Sequence, residues 1–129
     1  MIVMRRDLHM RKGKIAAQAG HACVGAVLEA LHRNGAEKLT VTEGVIRTGE
    51  DTVLDAWFQQ GEAKVCVYVD SEEALLAIHH QAQEAGLLSV LIQDSGLTEF
   101  HGEATYTCLA IEPAPAQLVD SITGALPLY

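Results

Sequence analysis

The stretch KVCVYVDSEEALLAIHHQAQEAGLLSVLIQ, residues 64–93, decides the fold class. Lys64–Val69 alternates β-branched and aromatic residues, which favours a strand. Asp70-Ser71-Glu72-Glu73 is a helix cap followed by acids that suit the positive end of a helix. The helical pattern LLAIHHQAQEA then runs to a stop at Gly86, and Leu88–Gln93 reads as the next strand. A strand, a helix and a strand in so short a span define an α/β unit.

Working outward, Ile2–Arg6 is a first strand and Asp7–Gly13 a polar connection. From Lys14 a long helical pattern, rich in Ala, Gly, Cys and Val, runs to Asn34-Gly35. On the other side, Asp94–Glu103 is a loop, Thr105–Ile111 a fourth strand and Pro113–Thr123 a short helix closed by Gly124. Residues 35–56 mix Thr, Gly, Glu and Asp and read as an insertion with a small helix ending near Trp57. The expected architecture is one domain, residues 1–129, with a three-layer α-β-α fold and a four-stranded mixed β-sheet. The third and fourth strands, joined by a short loop, should be antiparallel neighbours.

With 129 residues, 49% of them hydrophobic, the chain can close a single core. No apolar run is long enough for a transmembrane helix, and the N-terminus lacks the apolar stretch of a secretory signal. Cys23, Cys66 and Cys108 show no zinc spacing and read as small core residues of a reducing compartment, so neither a metal nor a cofactor is expected and the location should be cytoplasmic. The net charge of −8 argues against a generic nucleic-acid binder. Its distribution is uneven: Arg5, Arg6, Arg11, Lys12 and Lys14 cluster at the start, and no Lys or Arg follows Lys64. One small basic zone could face an anion while the rest repels it.

In open α/β sheets, sites form where strands end. Here these places are RKGKIAAQ, residues 11–18, and LIQDSGLTEF, residues 91–100. Arg11, Lys12 and Lys14 at a helix start could hold a phosphate. Gln18 and His21 follow Lys14 on the same helix face, with His21 expected half-buried. His79 and His80 read as surface residues. Asp94 is either a turn aspartate before Gly96 or a carboxylate able to orient water or pair with Lys14. Thr98 and Thr105 frame the same loop, with hydroxyls that could donate to an oxyanion.

Taken together, these segments resemble the type 2 peptidyl-tRNA hydrolases. The matching stretches are Val3–Asp7, Met10–Gln18 (Met-x-x-Gly-Lys-Ile-Ala-Ala-Gln) and His21-Ala22. Trp57, Gly61 and Lys64-Val65 follow, then Leu91-Ile92-Gln93-Asp94-x-Gly96-x-Thr98 and the terminal Val119-Asp120-x-Ile-Thr-Gly124-x-Leu-Pro-Leu. The similarity spans Ile2–Asn34 and Trp57–Tyr129. It implies hydrolysis of the ester between a peptide and the 3′ ribose of tRNA, no metal and a homodimer. The resemblance places the family's functional lysine on Lys14, its aspartate on Asp94 and its threonines on Thr98 and Thr105. Arg11, Lys12, Gln18, His21, Gln93 and Gly96 would bind substrate.

Two departures bear on this reading. Ser95 stands where the family commonly has Ala, and Glu112-Pro113-Ala114-Pro115 replaces a glycine-rich turn. A carboxylate bordering the cleft there would repel RNA. With the acidic C-terminal half, it favours an alternative: a diverged relative that binds a protein or peptide and hydrolyses nothing. The retained Lys14, Asp94 and Thr98 count against that alternative.

Overall fold

The computed structural model describes residues 1–35, 39–48 and 52–129. In chain order the elements are β1 (Ile2–Arg5), α1 (Lys12–Arg33), β2 (Thr40–Thr42), β3 (Val45–Arg47) and α2 (Val53–Gln59). They continue with β4 (Cys66–Val69), α3 (Glu72–Glu84), β5 (Ser89–Asp94), β6 (Thr105–Ile111) and α4 (Ala116–Thr123).

Four strands form a mixed sheet in the order β4-β1-β6-β5. β1 is parallel to β4 and antiparallel to β6, and β5 is antiparallel to β6 as expected. β1, β4 and β5 therefore point the same way, and their carboxyl ends share one edge. Two apolar layers cover the sheet. On one face, Ile2, Met4, Cys108 and Ala110 pack with Ala22 and Ala26 of α1. On the other, Val3, Val67, Val69, Leu109 and Ile111 pack with Leu75, Ile78 and Ala82 of α3 and Val119 of α4. The three-layer α-β-α expectation is met.

Helix α1 buries Gln18, Ala22, Ala26 and Ala30, one residue every four, so a small-residue stripe lies on the sheet. It starts at Lys12, two residues before the expected Lys14, because the Arg11 carbonyl already accepts from Ile15 N at 3.0 Å. Ser71 caps α3 by accepting from Ala74 N at 3.1 Å. Helix α4 starts at Ala116 and not at Pro113. Pro115 disfavours helical geometry at Ala114, and it serves as an extended cap itself.

Residues 35–56 were expected to hold an insertion with one small helix; 36–38 and 49–51 lie outside the described residues. The described part adds a hairpin, β2–β3, that the sequence reading missed. Its two-residue turn, Glu43-Gly44, has φ of 52° and 80°, the primed turn that matches strand twist. Glu-Gly is a weaker hairpin signal than Asn-Gly. Helix α2 runs two residues past Trp57 and is fastened to β3 by Asp55. That carboxylate accepts from Thr48 N at 2.7 Å and Thr48 Oγ1 at 3.0 Å.

His79 is half-buried, not a surface residue; its Nδ1 shares a 2.9 Å hydrogen bond with Ser89 Oγ. His80 is exposed. Of the cysteines, Cys108 is fully buried and its thiol is pushed up to about 12 by burial. Cys23 and Cys66 are half-buried.

Candidate active site

The site lies at the shared carboxyl edge, between the start of α1 and the end of β5. Lys14 is on the first turn of α1. Asp94 is the last residue of β5. Lys14 Nζ donates to Asp94 Oδ2 at 2.5 Å and to Thr98 Oγ1 at 3.0 Å. The Lys14 and Asp94 side chains are only 13% and 12% exposed, so the ion pair is largely shielded from water. Gln18, one turn further along α1, donates from Nε2 to the same Asp94 oxygen at 3.0 Å. The second carboxylate oxygen accepts from Gly96 N at 2.9 Å. The Lys14 ammonium holds the Asp94 carboxyl below the usual carboxylate range. Burial opposes it, and the Gly96 and Gln18 donors add to it.

A residue that the sequence reading missed organises this group. Thr107 is fully buried on β6, and its Oγ1 donates to Gln18 Oε1 at 2.5 Å. That bond fixes the Gln18 amide with its nitrogen toward Asp94. A β-bulge explains how Thr107 gets there. Ile92 pairs with Cys108 but Gln93 pairs with Tyr106, so Thr107 is the extra residue on β6. As a result Thr107 and Cys108, adjacent in sequence, both reach Gln18 of α1. Thr105 is Asp94's cross-strand partner, yet its hydroxyl donates to Glu103 O at 3.0 Å and takes no part in the network.

Gly96 cannot be replaced without moving the loop. It adopts φ of +81°, and a Cβ there would stand 2.3 Å from Glu103 O. The Gly96 carbonyl also accepts from Phe100 N and Gly102 N at 3.2 and 3.0 Å, which winds residues 96–102 tightly. The Phe100 ring centroid lies 5.7 Å from Lys14 Nζ. Arg11 closes the loop against α1: its Nε donates to Glu99 Oε1 at 2.7 Å, and its N to Oε2 at 3.3 Å.

The basic cluster is therefore mostly neutralised. Arg5 is buried against Asp7 and Glu72. Arg6 grips Asp70 with two bonds of 2.9 Å. Arg11 and Lys14 are paired with Glu99 and Asp94. Lys12 is exposed and has no ion-pair partner among the described residues. Gln93 and His21 are exposed as well; the expected half-burial of His21 does not hold, because its position on α1 turns away from the sheet. Glu112 does not border the site. It is buried at the opposite end of β6, where it accepts from Leu88 N at 2.7 Å and from Arg33.

Fold and site together define an α/β protein with a shielded lysine–carboxylate pair at the carboxyl ends of its strands. The chain belongs to the PTH2 family: the family model described as peptidyl-tRNA hydrolase PTH2 matches residues 1–129. Among its relatives are peptidyl-tRNA hydrolases of Sulfurisphaera tokodaii, 41% identical over 99% of this chain and 95% of the relative, and of Methanopyrus kandleri, 38% identical over 99% and 95%. The enzyme of Thermococcus onnurineus is 36% identical over 99% of this chain and 94% of its own. A solved protein of unknown function from Agrobacterium tumefaciens strain C58 shares the fold, with a TM-score of 0.59 at 15% identity over 99% of this chain and 94% of that one.

Proposed function

We propose that this chain, acting as one domain over residues 1–129, hydrolyses the ester between a peptide and the 3′ ribose of tRNA at the Lys14–Asp94 site. Family membership supports the reaction. The observation that carries the residue assignment is that Lys14 and Gln18 donate to one Asp94 oxygen while Lys14 also donates to Thr98.

Each group has unused capacity that suits the reaction. Among the described residues Asp94 Oδ1 accepts only from Gly96, so a lone pair remains for a water. A carboxylate held below its ordinary range is a weak base, so Asp94 chiefly orients that water and receives proton density as the bond forms. The water oxygen attacks the ester carbonyl, the bond to the 3′ oxygen breaks, and the proton passes to that oxygen as the tRNA hydroxyl leaves. Lys14 uses two of its three N–H donors on Asp94 and Thr98, which leaves one for the developing oxyanion. Thr98 accepts from Lys14, so its own O–H can donate to the same oxygen. Thr107 acts through Gln18 as a positioning residue, a role distinct from the oxyanion contact expected of Thr105.

Lys12 and Arg11 would meet the phosphates of the tRNA acceptor end, with Gln93, Gly96 and His21 beside the terminal nucleotide. A patch this small fits two to four phosphate contacts, each adding a salt slope of about 0.7 for a single strand. No helix among the described residues is long and apolar enough to cross a membrane. A cytoplasmic setting and a homodimer belong to the same reading; sedimentation of the purified chain tests the latter.

The decisive measurement is release of N-acetylated aminoacyl groups from tRNA. Lys14→Ala and Asp94→Asn should each lower kcat by roughly 10²–10³-fold. Their chemical denaturation curves should show that both remain folded. Full turnover in both variants would remove these residues from the chemistry.

A further inference from the structure

The two edges of the sheet are treated differently. The β4 edge is covered by the C-terminal segment: Val67 bridges Leu128, Tyr68 N donates to Pro127 O at 3.0 Å, and Tyr129 N donates to Cys66 O at 3.0 Å. The β5 edge is open. Among the described residues, no backbone group outside β6 bonds to residues 89–93. Every residue of β5 keeps some exposure to solvent. Ser-Val-Leu-Ile-Gln-Asp contains no Lys, no Pro and no Gly; its one charge, Asp94, is held in the site at the strand's end, and the bulge lies on β6 beyond Ile92.

The backbone direction follows from the pairing. Ile111 N donates to Met1 O on the β1 side, and Glu112 N donates to Leu88 O on the β5 side. Alternation then turns Ala110 and Cys108 toward β5, so their partners Val90 and Ile92 spend their backbone groups on β6. The N–H and C=O of Ser89 and Leu91 point away from the sheet. The side of α1 facing this edge forms a wall. Gly25 approaches Val90 closely, with a Cβ position 3.0 Å from Val90 Cγ1. Lys14, His21 and Leu28 are seven residues apart and share a neighbouring side of the helix. Leu28 is 60% exposed, so this side of the helix presents an apolar side chain beyond Lys14 and His21.

We infer that the open edge of β5 binds the peptide moiety of the substrate as an added strand, parallel to β5. This rests on the proposed hydrolysis. The esterified end of the peptide must lie at Asp94, the last residue of β5. Its preceding residues therefore run back toward Ser89, in the same direction as β5. Leu91 is three residues from Asp94, about 10 Å along a strand. The third residue before the ester thus meets Leu91, and the fifth meets Ser89. Recognition through backbone groups does not depend on side chains, which suits a substrate whose peptide varies.

Kinetics with the unaltered protein test this. Substrates are tRNAs carrying an N-acetylated single residue, a hexapeptide, and hexapeptides with one N-methylated amide at successive positions. The hexapeptide should raise kcat/KM about tenfold over the single residue, the size expected for two or three modest hydrogen bonds. N-methylation should cancel that gain at every second position and spare the positions between. Equal rates for short and long peptides, or equal loss at all methylated positions, would overturn the added strand while leaving hydrolysis intact. Release from no substrate would overturn the hydrolase reading, and the strand would fall with it. Hydrogen exchange at the Ser89 and Leu91 amides should slow with a 3′-amide-linked hexapeptidyl-RNA. Slowing with protein concentration alone would place a second copy on the edge and refute the proposal.

Discussion

Thr107 makes no hydrogen bond to Lys14 or Asp94 among the described residues, yet the orientation of Gln18 rests on it. Replacing it with Val keeps the shape and removes the donor. Gln18 Oε1 would then be buried without a partner, at a cost of about 1–3 kcal/mol. The amide could also turn and present oxygen to the Asp94 carboxylate, a repulsive contact. We expect Thr107→Val to lower kcat about tenfold or more with little change in KM, and Thr107→Ser to restore most of it. A purely structural role would show as lost stability with unchanged kcat per folded molecule. The positions at the ends of the site could be read from the sequence, Lys14 at the start of a helix and Asp94 and Gly96 at a strand-to-turn transition, but each had a bland reading alone and only the family resemblance joined them into one site. Thr107 was not legible. Strict alternation puts it on the face opposite Cys108, and only the bulge at Thr107 brings both to Gln18.

At the scale of elements, strands and long helices could be read because their periodicity is set by burial on one face. The β2–β3 hairpin could not, because its strands are three residues long and mostly exposed, so no apolar alternation marks them. What holds this small unit is polar. Asp55 is buried and closes a capping box with Thr52 while accepting two bonds from Thr48. Burial works against its charge, but the donors of Thr48 and Thr52 prevail and keep its carboxyl below the ordinary value of 3.8. The folded value is lower than the unfolded one, so ionised Asp55 contributes stability above the unfolded value. That contribution is lost as pH falls through the folded value. Asp55→Asn should therefore cost roughly 1–3 kcal/mol near neutral pH. Its denaturation midpoint should converge with that of the parent protein in acid. The Thr48 amide should exchange faster in the variant at neutral pH; unchanged exchange there would mean that Asp55 is not what fastens α2 to β3.

For the whole molecule, charge and edge protection act together. The net charge of −8 works against open-ended association, and the few basic groups are mostly spent on partners, which leaves RNA contact to a small patch near the site. Charge alone does not protect the β4 edge, whose run Val65-Cys66-Val67-Tyr68-Val69 is apolar, strongly β-prone and free of Lys and Pro. The last residues of the chain cover it through two backbone hydrogen bonds and through Tyr129, whose ring meets Tyr68 edge-on at 6.1 Å. Removing residues 127–129 should cost about 1.5–4.5 kcal/mol, the sum of two modest hydrogen bonds and one aromatic pair. Its larger effect should be on association. The truncated chain exposes a row of unpaired amides at the β4 edge in addition to the open β5 edge, so strands of different copies can join. Light scattering should rise steeply with concentration for the truncated chain and stay flat for the full one. Val65→Lys in the truncated chain places a charge on the newly exposed edge, where Val65 is already 44% exposed, and should suppress the scattering. If the truncated protein stays as dispersed as the parent, the C-terminal segment is not what protects that edge.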